Sequence, residues 1–299
     1  MTVAAVPRAP ARLGRFVLRM FAPHIHVTYA LLWVLALESS AVDLSGTAWR
    51  PTAATWVRVA SVALVLLFLR MLDEQKDLDH DRVHHPDRPL VTGAITVTEL
   101  RAAMAVLAAV VAALNAACSA AAVLLVLTAL GYALLLAAAE RAFPAVHERQ
   151  LLGLAMACPV QLLLGAYVYG SSVAAGTVTA DWRGAVLLVL CACVLLHYEF
   201  ARKTVWEAAP GARVYSAALG PRRSALVAAG FAVGAVGCQL VLFAPVGPLA
   251  LLPCLAVVPA LAGTRRFLAA GRGGWPMGSA AAFVAGTHLA LTVRAVLLP

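Results

Sequence analysis

Charge is what this 299-residue chain has least of: only 12% of its residues are Asp, Glu, Lys or Arg, and 63% are hydrophobic. A soluble domain is about half apolar and about a quarter charged. The polar coat of a water-soluble globule is missing, so the bilayer must be the solvent. There every backbone N–H and C=O needs a partner within the protein, which leaves helices or a closed barrel. The two-residue alternation of barrel strands is missing too, and long runs of Ala, Leu and Val choose helices. No cysteine pair has metal-ligand spacing. Cys118, Cys158, Cys191, Cys193, Cys238 and Cys254 lie in or beside apolar segments, none in a CxxC, and they read as small core residues. A removable leader is not evident: Arg8, Arg12, Arg15 and Arg19 precede an apolar stretch without a small-residue cleavage site, so that stretch reads as a retained span.

What is present is a series of spanning segments, at roughly 24–43, 53–72, 98–117, 119–139, 151–172, 183–200, 222–244, 247–264 and 277–297. Each is long enough to cross about 30 Å of hydrocarbon at 1.5 Å per residue. The expected fold is therefore an all-α membrane protein with about nine transmembrane helices. A cytoplasmic basic tail (1–23) would precede one helical transmembrane domain (24–299). That domain would comprise two pseudo-related halves, about 24–139 and 151–264, plus a last helix at 277–297.

The net charge of +9 follows from orientation rather than from a nucleic-acid partner. With the N-terminus cytoplasmic, all 23 Lys and Arg except Arg50, Arg58, Arg183 and Arg294 fall on the cytoplasmic side, as the positive-inside rule requires. All fourteen acids except Glu38, Asp43 and Asp181 fall there too, Glu148 among them. The expected location is the cell (plasma) membrane. Two cytoplasmic segments, about 73–97 and 199–221, carry most of the chemistry. They follow spans 2 and 6, a layout that points to one site built from two halves.

The first segment reads Arg70-Met-Leu-Asp73-Glu74-Gln-Lys76-Asp77-Leu-Asp79-His80-Asp81, then Arg82-Val-His84-His85-Pro86-Asp87-Arg88-Pro89. If span 2 continues as a helix, Asp73, Asp77 and Asp81 share one face about 6 Å apart, with Glu74 beside them. Like charges at that spacing repel, and Lys76 and Arg82 are too few to offset them. Open carboxylates of this kind suit a hard cation, Mg²⁺ above all, which takes one or two carboxylates and completes its shell with water and substrate phosphate oxygens. The plainer alternative is a solvated juxtamembrane helix. Asp79 lies off the stack, and His84 and His85 read as surface residues. Pro86 and Pro89 must end the helix in a turn that brings Arg88 back toward the acids.

This segment resembles the first motif of the UbiA superfamily of intramembrane prenyltransferases, Asn-Asp-x-x-Asp-x-x-x-Asp followed seven residues later by Arg-Pro. Asp73 stands at the Asn position and Glu74 at the first Asp, while Asp77, Asp81 and Arg88-Pro89 match directly. The resemblance implies a bundle around a lipid-facing cavity and Mg²⁺ holding the diphosphate of an isoprenyl donor. It covers essentially the whole chain.

The second segment, His197-Tyr198-Glu199-Phe-Ala-Arg202-Lys203-Thr-Val-Trp206-Glu207-Ala-Ala-Pro210-Gly211, is less regular. Set against the family's Asp-x-x-x-Asp-x-x-x-Gly, Glu207 takes the second Asp and Lys203 the first, with Glu199 one turn earlier. Three readings stand open. Arg202 and Lys203 can touch the diphosphate in place of a second Mg²⁺. Alternatively, Glu199 and Glu207 coordinate metal while Lys203 pairs with one of them. Or the two cations serve orientation alone.

The expected site is accordingly Asp73, Glu74, Asp77, Asp81, Glu199 and Glu207 as catalytic residues. Lys76, Arg88, Arg202 and Lys203 would bind diphosphate, and Asp73, Glu74, Asp77, Asp81 and Glu207 would ligate metal. The implied reaction ionises an isoprenyl diphosphate with Mg²⁺ inside a water-poor cavity and transfers the prenyl group to an unidentified small acceptor, aromatic or lipidic. A terpene cyclase on the same scaffold is the alternative, for which Tyr132, Tyr167, Tyr169, Tyr198 and Phe231 are candidate cavity walls. Asn115, Gln161, Gln239 and His288 are candidate acceptor contacts or interhelical hydrogen-bonders. An ion-coupled transporter is a third reading, disfavoured because such proteins keep their acids near the bilayer midplane. Phosphatidyl-alcohol transferases are disfavoured because their Asp-Gly…Ala-Arg pattern is absent around 73–81.

Overall fold

The computed structural model describes residues 9–143, 149–209, 211–243 and 254–297; Arg8, Glu148, Pro210 and the first part of the expected 247–264 span lie outside these. Helix α1 (Ala9–Phe16) and a wider turn at Val17–Phe21 precede α2 (Pro23–Leu44) and α3 (Ala53–Lys76). A short α4 (Leu78–His84) is followed by α5 (Val97–Ala116), α6 (Ala120–Ala142), α7 (Gln150–Ala174) and α8 (Trp182–Arg202). Then come the one-turn α9 (Tyr215–Leu219), α10 (Pro221–Leu242), α11 (Val257–Ala270) and α12 (Met277–Leu297).

Local sequence sets these boundaries. Thr52 and Thr55 form a reciprocal capping box at the start of α3, and Thr96 with Glu99 does the same for α5. Ser119 caps α6 and Asp181 caps α8, while Pro23 and Pro221 sit in the first turns of α2 and α10, where a missing N–H costs nothing.

Among the described residues, eight helices, α2, α3, α5, α6, α7, α8, α10 and α12, are long and apolar enough to cross a membrane. Of the ninth expected span, 247–264, the described residues cover the latter part, where α11 has 14 residues and begins at Val257. Each long helix packs on its successor, α11 bridges α10 to α12, and α12 returns to α2, which closes a ring. Only 17% of the apolar window of α5 is buried within the protein, so most of its surface is left for lipid. Leu124 and Leu135 on α6, 69% and 66% exposed, face outward in the same way.

Polar groups collect at the two ends of the ring. At one end Arg12 pairs with Glu99, Arg19 with Asp87 (2.8 Å) and Arg213 with Asp77 (2.8 Å), so the N-terminal segment and both chemically rich segments meet there. At the other end lie the three remaining acids, each beside one of the four isolated arginines. Glu38 holds Arg58 at 3.0 Å, Asp43 holds Arg294, and Asp181 lies 3.8 Å from Arg183. The buried Glu38–Arg58 pair is completed by Thr55 (2.6 Å to Glu38) and Ser171 (2.8 Å from Arg58), which ties α2, α3 and α7 together.

Asn115, Tyr167 and Ser61 form a second buried interhelical chain: the Tyr167 hydroxyl donates to Asn115 Oδ1 and Asn115 Nδ2 donates to Ser61 Oγ, both at 2.8 Å. That is the hydrogen-bonding alternative for Asn115. All six cysteines are free.

Candidate active site at the polar end of the bundle

A cavity of about 370 Å³ opens among α3, α6, α7 and α8 and the loop that follows α8. Its size falls within the usual range for small-molecule sites. Leu69, Leu72, Leu136, Leu154, Leu195 and Leu196 give it aliphatic walls. Its charged lining comes from the ends of the helices: Asp73, Lys76 and Asp77 from α3, Glu140 from α6 and Glu199 from α8. Lys203, Arg213 and Tyr215 enter from the loop.

The acidic segment does not continue as one helix. α3 ends at Lys76, and Asp77 (φ −90°, ψ 5°) is the joint to α4. The joint divides the expected stack. Asp73 and Asp77 line the cavity, whereas Glu74 and Asp81 do not. The Glu74 side chain is 1% exposed and Asp81 3%, and both are held by arginines. Arg88 Nη1 lies 3.2 Å from Glu74 and also bonds Asp81, and Arg70 pairs with Glu74. The turn after α4 thus does carry Arg88 back onto the acids, but it closes a clasp behind the cavity wall. The expected diphosphate contact by Arg88 and metal contacts by Glu74 and Asp81 do not fit this placement, because all three lie off the cavity lining and face one another and Arg70. Lys76 lines the cavity, 3.0 Å from Glu140 and 3.5 Å from Asp73. Asp79 is exposed and pairs with Arg82.

The second segment departs from its expected face for a similar reason. α8 stops at Arg202 and Lys203 is its C-cap, so Glu207 is not on a continued helical face. Trp206 turns inward instead. Its Nε1 donates to the Phe267 carbonyl at 3.0 Å and its ring stacks on Phe267, leaving Glu207 exposed and off the cavity.

Glu199 gathers the cations. Its Oε1 accepts from Lys203 (2.9 Å) and the Tyr215 hydroxyl (3.1 Å), and its Oε2 accepts from Arg202 (2.6 Å). Lys203 Nζ also sits 4.9 Å from the Tyr215 ring centroid. Burial and the Glu199 charge push the Tyr215 phenol above its ordinary value, so it remains a donor. The loop closes through Gly211 at φ +77°, where a Cβ would come within 3.0 Å of His84.

Glu140, Arg213 and Tyr215 line the cavity although sequence reasoning did not choose them. Arg213 and Tyr215 lay in plain view in the second segment, but only the folded loop brings them to Asp77 and Glu199. Of the five aromatic candidates, Tyr132, Tyr167, Tyr169, Tyr198 and Phe231, none is among the lining residues. Gln161 is, with its amide nitrogen 3.5 Å from the Tyr29 hydroxyl.

Asp73 and Asp77 are the acids of the first segment that offer oxygen to the cavity. Two carboxylates suit a Mg²⁺ whose shell is completed by substrate phosphate and water. They do not make an all-protein cage, and among the described residues no group of three or more His, Cys, Asp or Glu side chains is disposed to hold a metal. The fit is to one ion shared with an anionic substrate.

No family model matches the chain, and no curated protein sequence matches it. Solved structures do. The apo structure of a UbiA homologue from Aeropyrum pernix K1 superposes with a TM-score of 0.62 at 20% identity, covering 88% of this chain and 95% of that one. A structure of digeranylgeranylglyceryl phosphate synthase matches with a TM-score of 0.62 at 15% identity, over 96% of this chain and 100% of the other. A UbiA homologue from Archaeoglobus fulgidus, bound to DMAPP and Mg²⁺, matches with a TM-score of 0.57 at 16% identity, over 92% and 99%. With eight membrane-length apolar helices arranged in this way, the protein is an integral membrane protein, and its fold is that of the UbiA homologues.

Proposed function

We propose that this chain is a UbiA-superfamily enzyme that ionises an isoprenyl diphosphate and transfers the prenyl group to a small acceptor. The observation that carries the reading is the cavity itself. Its mouth carries carboxylates (Asp73, Asp77, Glu140 and Glu199) interleaved with cations (Lys76, Lys203 and Arg213), above aliphatic walls of a size for a hydrocarbon tail. Supporting it are the motif resemblance at 73–89 and the ligands of the Archaeoglobus fulgidus homologue, DMAPP and Mg²⁺ in one structure and GPP and Mg²⁺ in another.

In the proposed reaction the C1–O bond of the donor breaks heterolytically and its electron pair leaves with the diphosphate. An electron pair of the acceptor then forms the new bond to C1, and the acceptor loses a proton to solvent or to a base at the mouth. Mg²⁺ held by Asp73 and Asp77 would neutralise charge on the leaving diphosphate. Lys203 and Arg213 add fixed positive charge from the facing loop, and Tyr215 and Glu199 keep Lys203 in place. The leucine walls keep water from the allylic cation. The catalytic unit is taken as 24–299, with two related halves and its mouth on the cytoplasmic side of the plasma membrane.

The test incubates purified protein with Mg²⁺ and allylic diphosphates of several lengths, with and without aromatic and lipidic acceptors, and measures diphosphate release and organic product. Prenylated acceptor is expected. A cyclic hydrocarbon or alcohol formed without acceptor assigns a terpene cyclase instead, and no diphosphate release with any pair sinks the enzyme reading.

A further inference from the structure

Gln161 is out of place in the cavity it lines. The carboxylates and cations sit where the helices end. Below them, among the described residues, the wall is leucine, alanine, valine, glycine and cysteine apart from this one amide. Gln161 lies about 16 Å further along α7 than Gln150 at the helix start, at 1.5 Å per residue, and so well beneath the mouth. Its Nε2 is 3.5 Å from the Tyr29 hydroxyl, at the far limit of a hydrogen bond. Tyr29 is steadied from behind: its ring stacks on Trp33 (5.8 Å between centroids) and meets His288 edge-on (6.1 Å). A glutamine amide has two N–H donors and a carbonyl with two lone pairs. Among the described residues that long contact is the one its amide makes, which leaves Oε1 and one N–H without a protein partner. An amide that serves packing is placed differently. Asn115 is buried, lies off the cavity, and bonds Tyr167 and Ser61 at 2.8 Å through both its polar atoms.

We propose that Gln161 binds the prenyl acceptor, and that the acceptor is a phenol whose hydroxyl donates to Gln161 Oε1. The proposal rests on the function proposed above. The isoprenyl donor is not the molecule that uses this amide. Its polar end belongs at the charged mouth and its tail is hydrocarbon, which would leave the amide dehydrated and unsatisfied. A hydroxyl satisfies it, since the Tyr29 contact takes up an N–H and leaves the carbonyl to accept. A hydroxyl held this far beneath the mouth is not the nucleophile, so the reacting atom is a ring carbon nearer the diphosphate. A π pair of the ring forms the new C–C bond to C1 of the donor, and the same ring carbon then loses its proton. Donation to Oε1 also makes the phenol oxygen more electron-releasing, which favours attack by the ring.

The test measures binding of 1-naphthol and of its methyl ether, 1-methoxynaphthalene, to the full-length protein in detergent micelles. Mg²⁺ and inorganic diphosphate are present to occupy the mouth, and naphthalene fluorescence, corrected with empty micelles, reports binding. In the unaltered protein the phenol should bind about five- to tenfold more tightly than the ether, the worth of one hydrogen bond. Gln161→Met, which keeps the length and removes the amide, should abolish that preference. A Gln161 that only ties α7 to α2 would shift both probes alike, so a Gln161→Met protein that keeps the preference overturns the proposal. Equal binding of the two probes by the unaltered protein, or no binding of the phenol, overturns it as well. Where Gln161→Met does not fold, Tyr29→Phe decides. It releases Nε2 to donate to an ether oxygen, so the preference should shrink, and an unchanged preference sinks the assignment. The allylic diphosphate assay run alongside separates the two levels. No diphosphate release with any donor removes the functional reading and the phenol site with it, whereas normal release without phenol preference removes the phenol site alone.

Discussion

Arg88 Nη1 lies 3.2 Å from the Oε1 of Glu74, fourteen residues earlier in the chain, and so pins the turn after α4 against the end of α3. The same guanidinium bonds Asp81. Two buried carboxylates thus share one cation from the loop, with Arg70 as a second partner for Glu74. Removing Arg88 leaves them short of compensation. Arg88→Ala should cost about 2–4 kcal/mol, near the range for breaking a buried pair and discounted for the partial exposure of Arg88. Thermal unfolding in detergent measures it, and an unchanged Tm would refute the clasp.

The division of the acidic segment separates two kinds of loss. Asp73→Asn and Asp77→Asn should lower Mg²⁺-dependent turnover at least about a hundredfold while Tm stays within a few degrees, because their carboxylates face the cavity. Asp81→Asn should lower Tm first. Glu207→Gln, on an exposed side chain, should leave turnover within about twofold of normal and Tm within a few degrees. Steady-state kinetics alongside melting curves read the difference, and a Glu207 variant as inactive as Asp77→Asn would restore that residue to the site.

Lys203 stands where the family pattern has an acid, and here it lines the cavity on Glu199. Lys203→Asp should raise the donor KM about tenfold or more, since it replaces one cation facing the diphosphate with an anion. Should the variant instead gain affinity for Mg²⁺ without losing donor affinity, Lys203 is a degenerate metal ligand.

At the opposite end, Glu38 and Arg58 are paired at 3.0 Å with side chains 5% and 6% exposed. Arg58→Met alone should destabilise by about 3–5 kcal/mol through the stranded carboxylate, and Glu38→Gln added to it should recover much of that loss. A double variant as unstable as the single one would show that the arginine acts by packing rather than by charge.

Orientation has its own test. Cys118, in the turn between α5 and α6, is exposed, and the other five cysteines are buried or half-buried. With a cytoplasmic N-terminus that turn lies outside, so a membrane-impermeant maleimide should label intact cells and fail on Cys118→Ser. Labelling only after the membrane is opened would invert the topology.

The architecture was legible because it follows from local chemistry. Apolar runs longer than a bilayer is thick, capped by Thr52, Thr96, Ser119 and Asp181, can only be spanning helices, and the observed ends fall within a few residues of the expected ones. The remaining expected span, 247–264, lies partly outside the described residues, and its described part, α11, runs on past Arg265 and Arg266 to Ala270. The acidic pattern at 73–81 was equally plain, because spacing along a helix is a sequence property.

Which of those acids face a cavity is not. That depended on where α3 and α8 stop, at Lys76 and Arg202, since a helical face ends with its helix. It depended also on partners far along the chain: Arg88 for Glu74 and Asp81, and Arg213 for Asp77, 136 residues away. The sequence by itself determined the solvent, the helices and the kind of charge at their ends. Tertiary structure decided which charges meet, because Coulomb attraction and burial are set by distance in space rather than along the chain.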